Sequence, residues 1–94
     1  QKLIRQFTES YRKAPFFKNN FPLIEDIICN PEQNLFRYIL YSINKIKDFL
    51  KIPTPLIISS ELNLGDAKGS DKVIEICKKR GAKNYINPIG GIEL

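Results

Sequence analysis

The periodicity of apolar residues changes abruptly near residue 52, and this change constrains the fold more than any other sequence feature. Before it, apolar residues recur every three or four positions, as on one face of an amphipathic helix. After it, the stretch IPTPLIISSEL (52–62) carries two prolines and an apolar run without polar alternation. Such an unbroken run is typical of a strand buried on both faces of a parallel sheet. We therefore expect helices first and strands after them.

The first part of the chain predicts two helices before residue 30. Residues 3–14 have helical spacing, and Pro15 ends that helix because its ring disfavours the helical conformation of the preceding residue. The stretch NNFPLIEDIIC (19–29) predicts a short second helix, with Asn19 or Asn20 as its amino-terminal cap.

A third, longer helix is expected to begin at NPEQ (30–33), where Asn30 caps and Pro31 suits the first turn. It should extend to about Lys51, and its broad apolar face predicts that it is mostly buried. The apolar residues of this face are Leu35, Phe36, Ile39, Leu40, Ile43, Ile46, Phe49 and Leu50.

The second part predicts a strand at 56–59, a helix at 70–81 and a strand at 84–87. Ser70 or Asp71 is the expected cap of this helix. The connection is long enough for a crossover between parallel strands. The predicted fold class is therefore α/β, with amino-terminal helices followed by a βαβ unit.

Two strands do not form a stable sheet alone, so the sheet is expected to continue in sequence outside this chain. We accordingly expect residues 1–94 to be a single partial domain, a fragment of a larger α/β domain. Its helical part would be 1–52 and its strand–helix–strand part 53–94.

Parallel pairing would gather several polar stretches at one rim, where both strands end and the helix begins. Open α/β sheets bind ligands at this rim, and a helix amino terminus favours anions. The predicted ligand is an anionic small molecule, a nucleotide sugar or a sugar phosphate. The candidate ligand-binding residues are Ser59, Ser60, Lys68, Gly69, Ser70, Asn87, Gly90 and Gly91. The serines, as a strand end or a helix cap, and the glycines, as turns, also have purely structural explanations, and Asp71 would compete with a bound anion.

Composition excludes several other sites. The chain has no histidine, so a histidine-based triad or a histidine-ligated metal cannot be built from it. Cys29 and Cys77 lack metal-ligand spacing and are expected to be small buried hydrophobes, which favours the cytoplasm. No metal site is predicted, and neither a cofactor nor catalytic residues are indicated.

Charge and hydropathy limit the partners. The net charge of +5 is spread along the chain without a basic stripe, so nucleic acid is not an expected partner. No apolar run approaches the ~20 residues of a membrane span.

Three stretches of the sequence resemble the WbqC-like family. They are YRKAPFFKNNFPLIEDII (11–28), ISSEL (58–62) and KGSDKVIEICKKRGAKNYINPIGGIEL (68–94). The resemblance covers nearly all of the chain from Tyr11 onward and corresponds to the carboxyl-terminal half of the family. Its motif positions, carried over without chemical roles, are Ser60, Gly69, Asn87, Pro88, Gly90 and Gly91. The family's amino-terminal half is expected as a missing part of the same chain, so no catalytic residue of that half is carried over.

The resemblance implies a bacterial protein of O-antigen or other surface-polysaccharide biosynthesis. It also implies a possible transferase activity, adding glycine or another aminoacyl group to a nucleotide-linked amino sugar. The alternative is a non-catalytic ligand-binding or assembly module of the same pathway. A nucleic-acid-binding role would rest on net charge alone.

Overall fold

A computed structural model describes residues 1–90, which form four α-helices, include a short 3₁₀ turn before the last helix and contain no strand. The helices are α1 (Lys2–Tyr11), α2 (Phe17–Ile28), α3 (Leu35–Phe49) and α4 (Ser70–Arg80), and the 3₁₀ turn is Ser59–Glu61. The chain divides into two compact units, Gln1–Thr54 and Pro55–Leu94. That both belong to one domain stays a prediction.

Aromatic rings hold α1 against α2 in the first unit. The ring of Phe21 lies 4.8 Å from that of Phe17 and 6.2 Å from that of Phe7, measured between centroids. These rings line a small hollow of about 130 Å³ between the two helices. The Gln1 side chain caps α1 by accepting a hydrogen bond from the Ile4 N–H at 2.8 Å.

The predicted cap of α2 is wrong. The helix begins at Phe17, so Asn19 and Asn20 lie inside it, and its cap residue Phe16 makes no side-chain hydrogen bond. Phe16 instead has left-handed backbone geometry, with φ 64°. The Phe17 N–H donates to the Ala14 carbonyl at 3.2 Å, which turns the chain into α2 before either asparagine is reached.

The predicted start of α3 is also wrong, because a second asparagine caps the helix. The Asn34 side chain accepts from the Arg37 N–H at 3.0 Å. The side chain of Asn30 accepts from the Glu32 N–H at 3.2 Å, so it closes a local turn before the helix. The helix itself ends at Phe49.

The prediction that α3 is mostly buried is wrong as well. It packs on α2 through its tyrosine side, where the Tyr38 hydroxyl donates to the Ile28 carbonyl at 3.2 Å. Within the first unit its aliphatic side is left uncovered, and none of residues 1–90 is fully buried. The large apolar side chains of α3 and its end that remain exposed are Leu35, Phe36, Ile39, Ile43, Ile46, Phe49 and Leu50.

The second unit overturns the predicted α/β fold. Neither 56–59 nor 84–87 forms a strand, so the expected βαβ unit and its shared rim do not exist in the described residues. Ile58 has extended backbone angles, φ −88° and ψ 116°, but the chain then enters the 3₁₀ turn. Tyr85 and Ile86 are 58 % and 92 % exposed. Local extended preference is insufficient for a strand, because a sheet also requires paired backbone hydrogen bonds.

The helix predicted in this unit is confirmed as α4. Gly81 ends it in left-handed geometry with φ 62°, a conformation that glycine adopts without steric cost. The predicted caps are wrong, because Ser70 and Asp71 are helical residues and Gly69 occupies the cap position. The backbone of Gly69 has φ 57° and ψ −131°, a combination open almost exclusively to glycine.

Candidate functional site

A polar cleft in the second unit is the candidate ligand site. It is an open cavity of about 390 Å³ that reaches from the 3₁₀ turn to the first turn of α4. Its lining residues are Ser59, Ser60, Leu62, Asn63, Leu64, Gly65, Asp66, Ala67 and Lys72. The cleft therefore presents hydroxyl, amide, carboxylate and ammonium groups to one volume. These groups can hydrogen-bond a polar ligand and pair with its charge.

Local backbone hydrogen bonds shape the wall of the cleft. The N–H groups of Glu61 and Leu62 donate to the carbonyls of Ile58 and Ser59, each at 3.1 Å, and close the 3₁₀ turn. Gly65 then reverses the chain with φ 62°. The two serines are thus held on a tight turn, while the loop that follows curves around them.

The structure brings together only some of the predicted site residues. Ser59 and Ser60 both line the cleft. Three other candidates are exposed and do not line the cleft, although they shortly precede Lys72 in the chain: Lys68, Gly69 and Ser70. The exposed residues Asn87 and Gly90 also lie outside its lining, and Gly91 falls outside the described residues.

Sequence reasoning missed Asn63, Asp66 and Lys72 as site residues. The stretch NLGDAKG (63–69) predicts a loop, but its asparagine and aspartate flanking a glycine turn were a usable signal for a polar pocket. Lys72 lies one position after Asp71 in the first turn of α4. Its place in the cleft depends on the path of the loop, which periodicity does not encode.

The charged groups of the cleft come from two segments of the chain, α4 and the loop before it. Lys72 provides a cation at the start of α4, where the positive end of the helix dipole adds to its attraction for anions. No side chain caps the first N–H groups of this helix. Asp66 provides a carboxylate on the loop side. The arrangement suits a ligand with an anionic group at one end and hydrogen-bond donors at the other.

A second charged cluster joins α2 to α3 in the first unit. The Tyr41 hydroxyl donates to the Asp26 carboxylate, 2.9 and 3.0 Å from its two oxygens, and the Lys45 Nζ lies 3.3 Å from that carboxylate. The Lys45 ammonium also lies 5.4 Å from the centre of the Tyr41 ring. The hydrogen bond to Asp26, followed by the electrostatic interaction with Tyr41, raises the pKa of Lys45. This cluster is exposed and connects two helices, so we interpret it as structural.

The cysteines do not form a site. Cys29 is exposed and Cys77 half-buried, both as free thiols, so the expectation of two buried cysteines is wrong for Cys29. Within residues 1–90, no group of three or more potential metal-ligating side chains of His, Cys, Asp or Glu lies together. No helix in the same range is both long and apolar enough to cross a bilayer.

Residues 1–90 are thus helical without a strand, and a polar cleft lies beside the start of α4. The chain belongs to the WbqC-like protein family, whose sequence pattern matches residues 1–94. The match includes α1, which precedes the motif-bearing stretches. No curated protein and no solved structure matches the chain.

Proposed function

We propose that the polar cleft binds the anionic part of an activated sugar, and that the protein acts in the biosynthesis of bacterial surface polysaccharide. Membership of the WbqC-like family supports the pathway. One observation supports an anionic ligand: Lys72, Ser59 and Ser60 line the same cleft. An ammonium beside two hydroxyls offers a charge and several donors to phosphate oxygens.

The separate origins of the charged groups in the cleft support one orientation of the proposed ligand. Phosphate would lie toward Lys72, because the carboxylate of Asp66 repels it from the loop side. Sugar hydroxyl or amide groups would then donate to Asp66, with Asn63 able both to donate and to accept. At about 390 Å³ the cleft falls within the ~300–1,000 Å³ typical of small-molecule sites.

Isothermal titration of the intact protein with UDP-N-acetylglucosamine tests the site. We expect Lys72→Gln to raise Kd about 10- to 100-fold, because a charged hydrogen bond contributes roughly 1.5–3 kcal/mol. The matched control is Lys68→Gln, which removes an equal charge from an exposed position outside the cleft. An equal loss in both variants would indicate a response to net charge and contradict the assignment.

The reaction that we propose is transfer of an aminoacyl group, glycine in the first instance, from an activated donor to the amine of a nucleotide-linked amino sugar. An amide bond forms as the bond between the acyl carbon and the donor's leaving group breaks, and the leaving group is released. This proposal rests on the family resemblance. Such acyl transfer requires a base that accepts the amine proton and donors that stabilise the oxyanion. Asp66 is the carboxylate that lines the cleft and is the candidate to position the amine.

Mass spectrometry tests the reaction separately from binding. The intact protein is incubated with a nucleotide-linked amino sugar and an activated glycine donor, and the product should gain the mass of one glycyl residue. An unchanged sugar across several donors, with binding at the cleft retained, would reject the transfer while leaving the ligand site in place.

A non-catalytic binding or assembly module is the second candidate function. The exposed apolar side of α3 favours it, because large uncovered apolar surfaces commonly mark interaction sites. A protein that binds the nucleotide sugar but releases it unchanged would support this alternative.

A further inference from the structure

We propose that the uncovered side of α3 pairs two copies of the protein in a two-fold symmetric dimer. The surface concerned is the α3 stripe, defined as Phe36, Ile39, Ile43, Ile46 and Leu50. Its side chains are between 46 and 59 % exposed. This inference does not rest on the ligand proposed for the cleft.

The spacing of the α3 stripe is the first argument. Its residues follow one another at intervals of three, four, three and four, the pattern in which apolar side chains of two paired helices interlock. The stripe runs the length of α3 and onto its cap Leu50, about 22 Å by helical rise. This is two heptads, too short for a free coiled coil. Here the helix is already formed and packed on α2 through Tyr38, so pairing does not have to stabilise it.

The second argument is that the stripe is complementary to itself. None of its five residues is charged, so a two-fold axis through it buries no charged side chain of the stripe, and Lys47, four residues after Ile43, borders it. Because both copies use the same surface, the contact closes at two chains and does not propagate. The charged and amide residues Arg37, Asn44 and Asp48 occupy the opposite side of the helix.

The third argument is area. An aromatic side chain buries roughly 150–250 Å², and isoleucine and leucine bury somewhat less; about half of this area remains exposed at each stripe position. With the flanking Leu35 and Phe49, also exposed, the surface amounts to on the order of 700 Å² per copy. A stable interface of standard size buries about 800 Å² on each partner. The α3 stripe and its flanks therefore supply most of what a stable dimer requires.

Sedimentation velocity of the intact protein from about 1 to 100 μM tests the proposal. We expect a reversible monomer–dimer equilibrium, and we expect Ile43→Lys to raise its Kd at least about a hundredfold by placing two ammonium groups at the centre of the interface. The matched control, Asn44→Lys, adds the same charge on the opposite side and should leave Kd within about threefold of the wild type. A wild-type protein that stays monomeric at 100 μM overturns the proposal, as does a dimer that Ile43→Lys leaves intact or an assembly that grows beyond two chains.

Cross-linking provides a second measurement if Ile43→Lys fails to fold. In a chain carrying Cys29→Ser and Cys77→Ser, Ile43→Cys should yield a covalent dimer with a short bismaleimide, and Asn44→Cys should not. Equal cross-linking at both positions would indicate random collision and reject the interface.

Discussion

The two units of this protein differ in the sequence distance that their stabilising contacts span. In the first unit, side chains far apart in sequence meet, such as Phe7 with Phe21 and Tyr41 with Asp26. In the described part of the second unit, the side-chain ion pair joins neighbours one helical turn apart, Lys78 and Glu75, at 3.7 Å. The first unit is therefore specified by packing between helices, and the second by the backbone chemistry of its turns and helix ends.

The largest effect should follow from removing the aromatic contact of the first unit. Phe21→Ala abolishes the ring contact with Phe7 that joins α1 to α2, and also the contact with Phe17 within α2. Truncating a fully buried phenylalanine to alanine costs ~3–5 kcal/mol of stability. Because Phe21 is only half-buried, we expect the free energy of unfolding to fall by about 2–3 kcal/mol. Residue-resolved hydrogen exchange should detect this loss of stability as faster exchange of the α1 and α2 amides.

The control for that experiment lies in the second unit. Ile86→Ala also truncates a large apolar side chain to alanine. Because this side chain is 92 % exposed, the free energy of unfolding should change by less than about 0.5 kcal/mol. If the two truncations cost the same, packing does not distinguish the units and the comparison fails.

A smaller effect is expected from the backbone of the second unit. Gly69→Ala places a β-carbon on a residue with φ 57°, where nothing lies within 4 Å and the cost is therefore conformational. We expect a loss of about 1–2 kcal/mol, measured as faster hydrogen exchange of the α4 amides. Gly90→Ala serves as the control, because a β-carbon at Gly90 also has nothing within 4 Å but Gly90 does not have a positive φ. Unchanged α4 exchange in Gly69→Ala would contradict the role of turn geometry.

The smallest effect concerns the ionic cluster that joins α2 and α3. The pKa of Lys45 is raised in the folded protein, so its contribution to stability is present below the ordinary lysine pKa and lost as pH rises through the folded value. Asp26→Asn should lower the pKa of Lys45 toward its ordinary value in an NMR titration, because Asp26 is the main cause of the shift. Glu25→Gln neutralises the adjacent carboxylate, which does not contact Lys45, and should leave that pKa unchanged. A similar fall in both variants would show that the shift reflects overall charge.

The sequence predicted all four of the described α-helices, because their determinants are local. Apolar spacing located α1 and α3, and Gly81 marked the end of α4 where the structure has it. The start of α3 was missed by several residues because Asn30 and Asn34 both have capping chemistry, and only the second caps the helix. The presence of each helix could thus be predicted from residues close in sequence, whereas the choice between competing caps could not.

The strands and the burial of α3 were not predictable, because both depend on partners. The run around Ile58 has the composition of a strand and an extended backbone, but a strand exists only where a neighbour accepts its hydrogen bonds. Amphipathic spacing likewise shows that α3 has an apolar side without showing what covers it. For the site, polar residues after an apolar run identified Ser59 and Ser60, whereas Lys72 reaches the cleft through the path of the loop.

At two helix boundaries in the first unit, a residue other than glycine has left-handed backbone geometry. Phe16 before α2 and Lys51 after α3 have φ values of 64° and 57°, where a side chain costs roughly 1–2 kcal/mol. Glycine or asparagine fits the same backbone with less strain. These two joints are therefore natural starting points for engineering a more heat-tolerant version of the protein, since changing them alters neither the aromatic cluster nor the cleft.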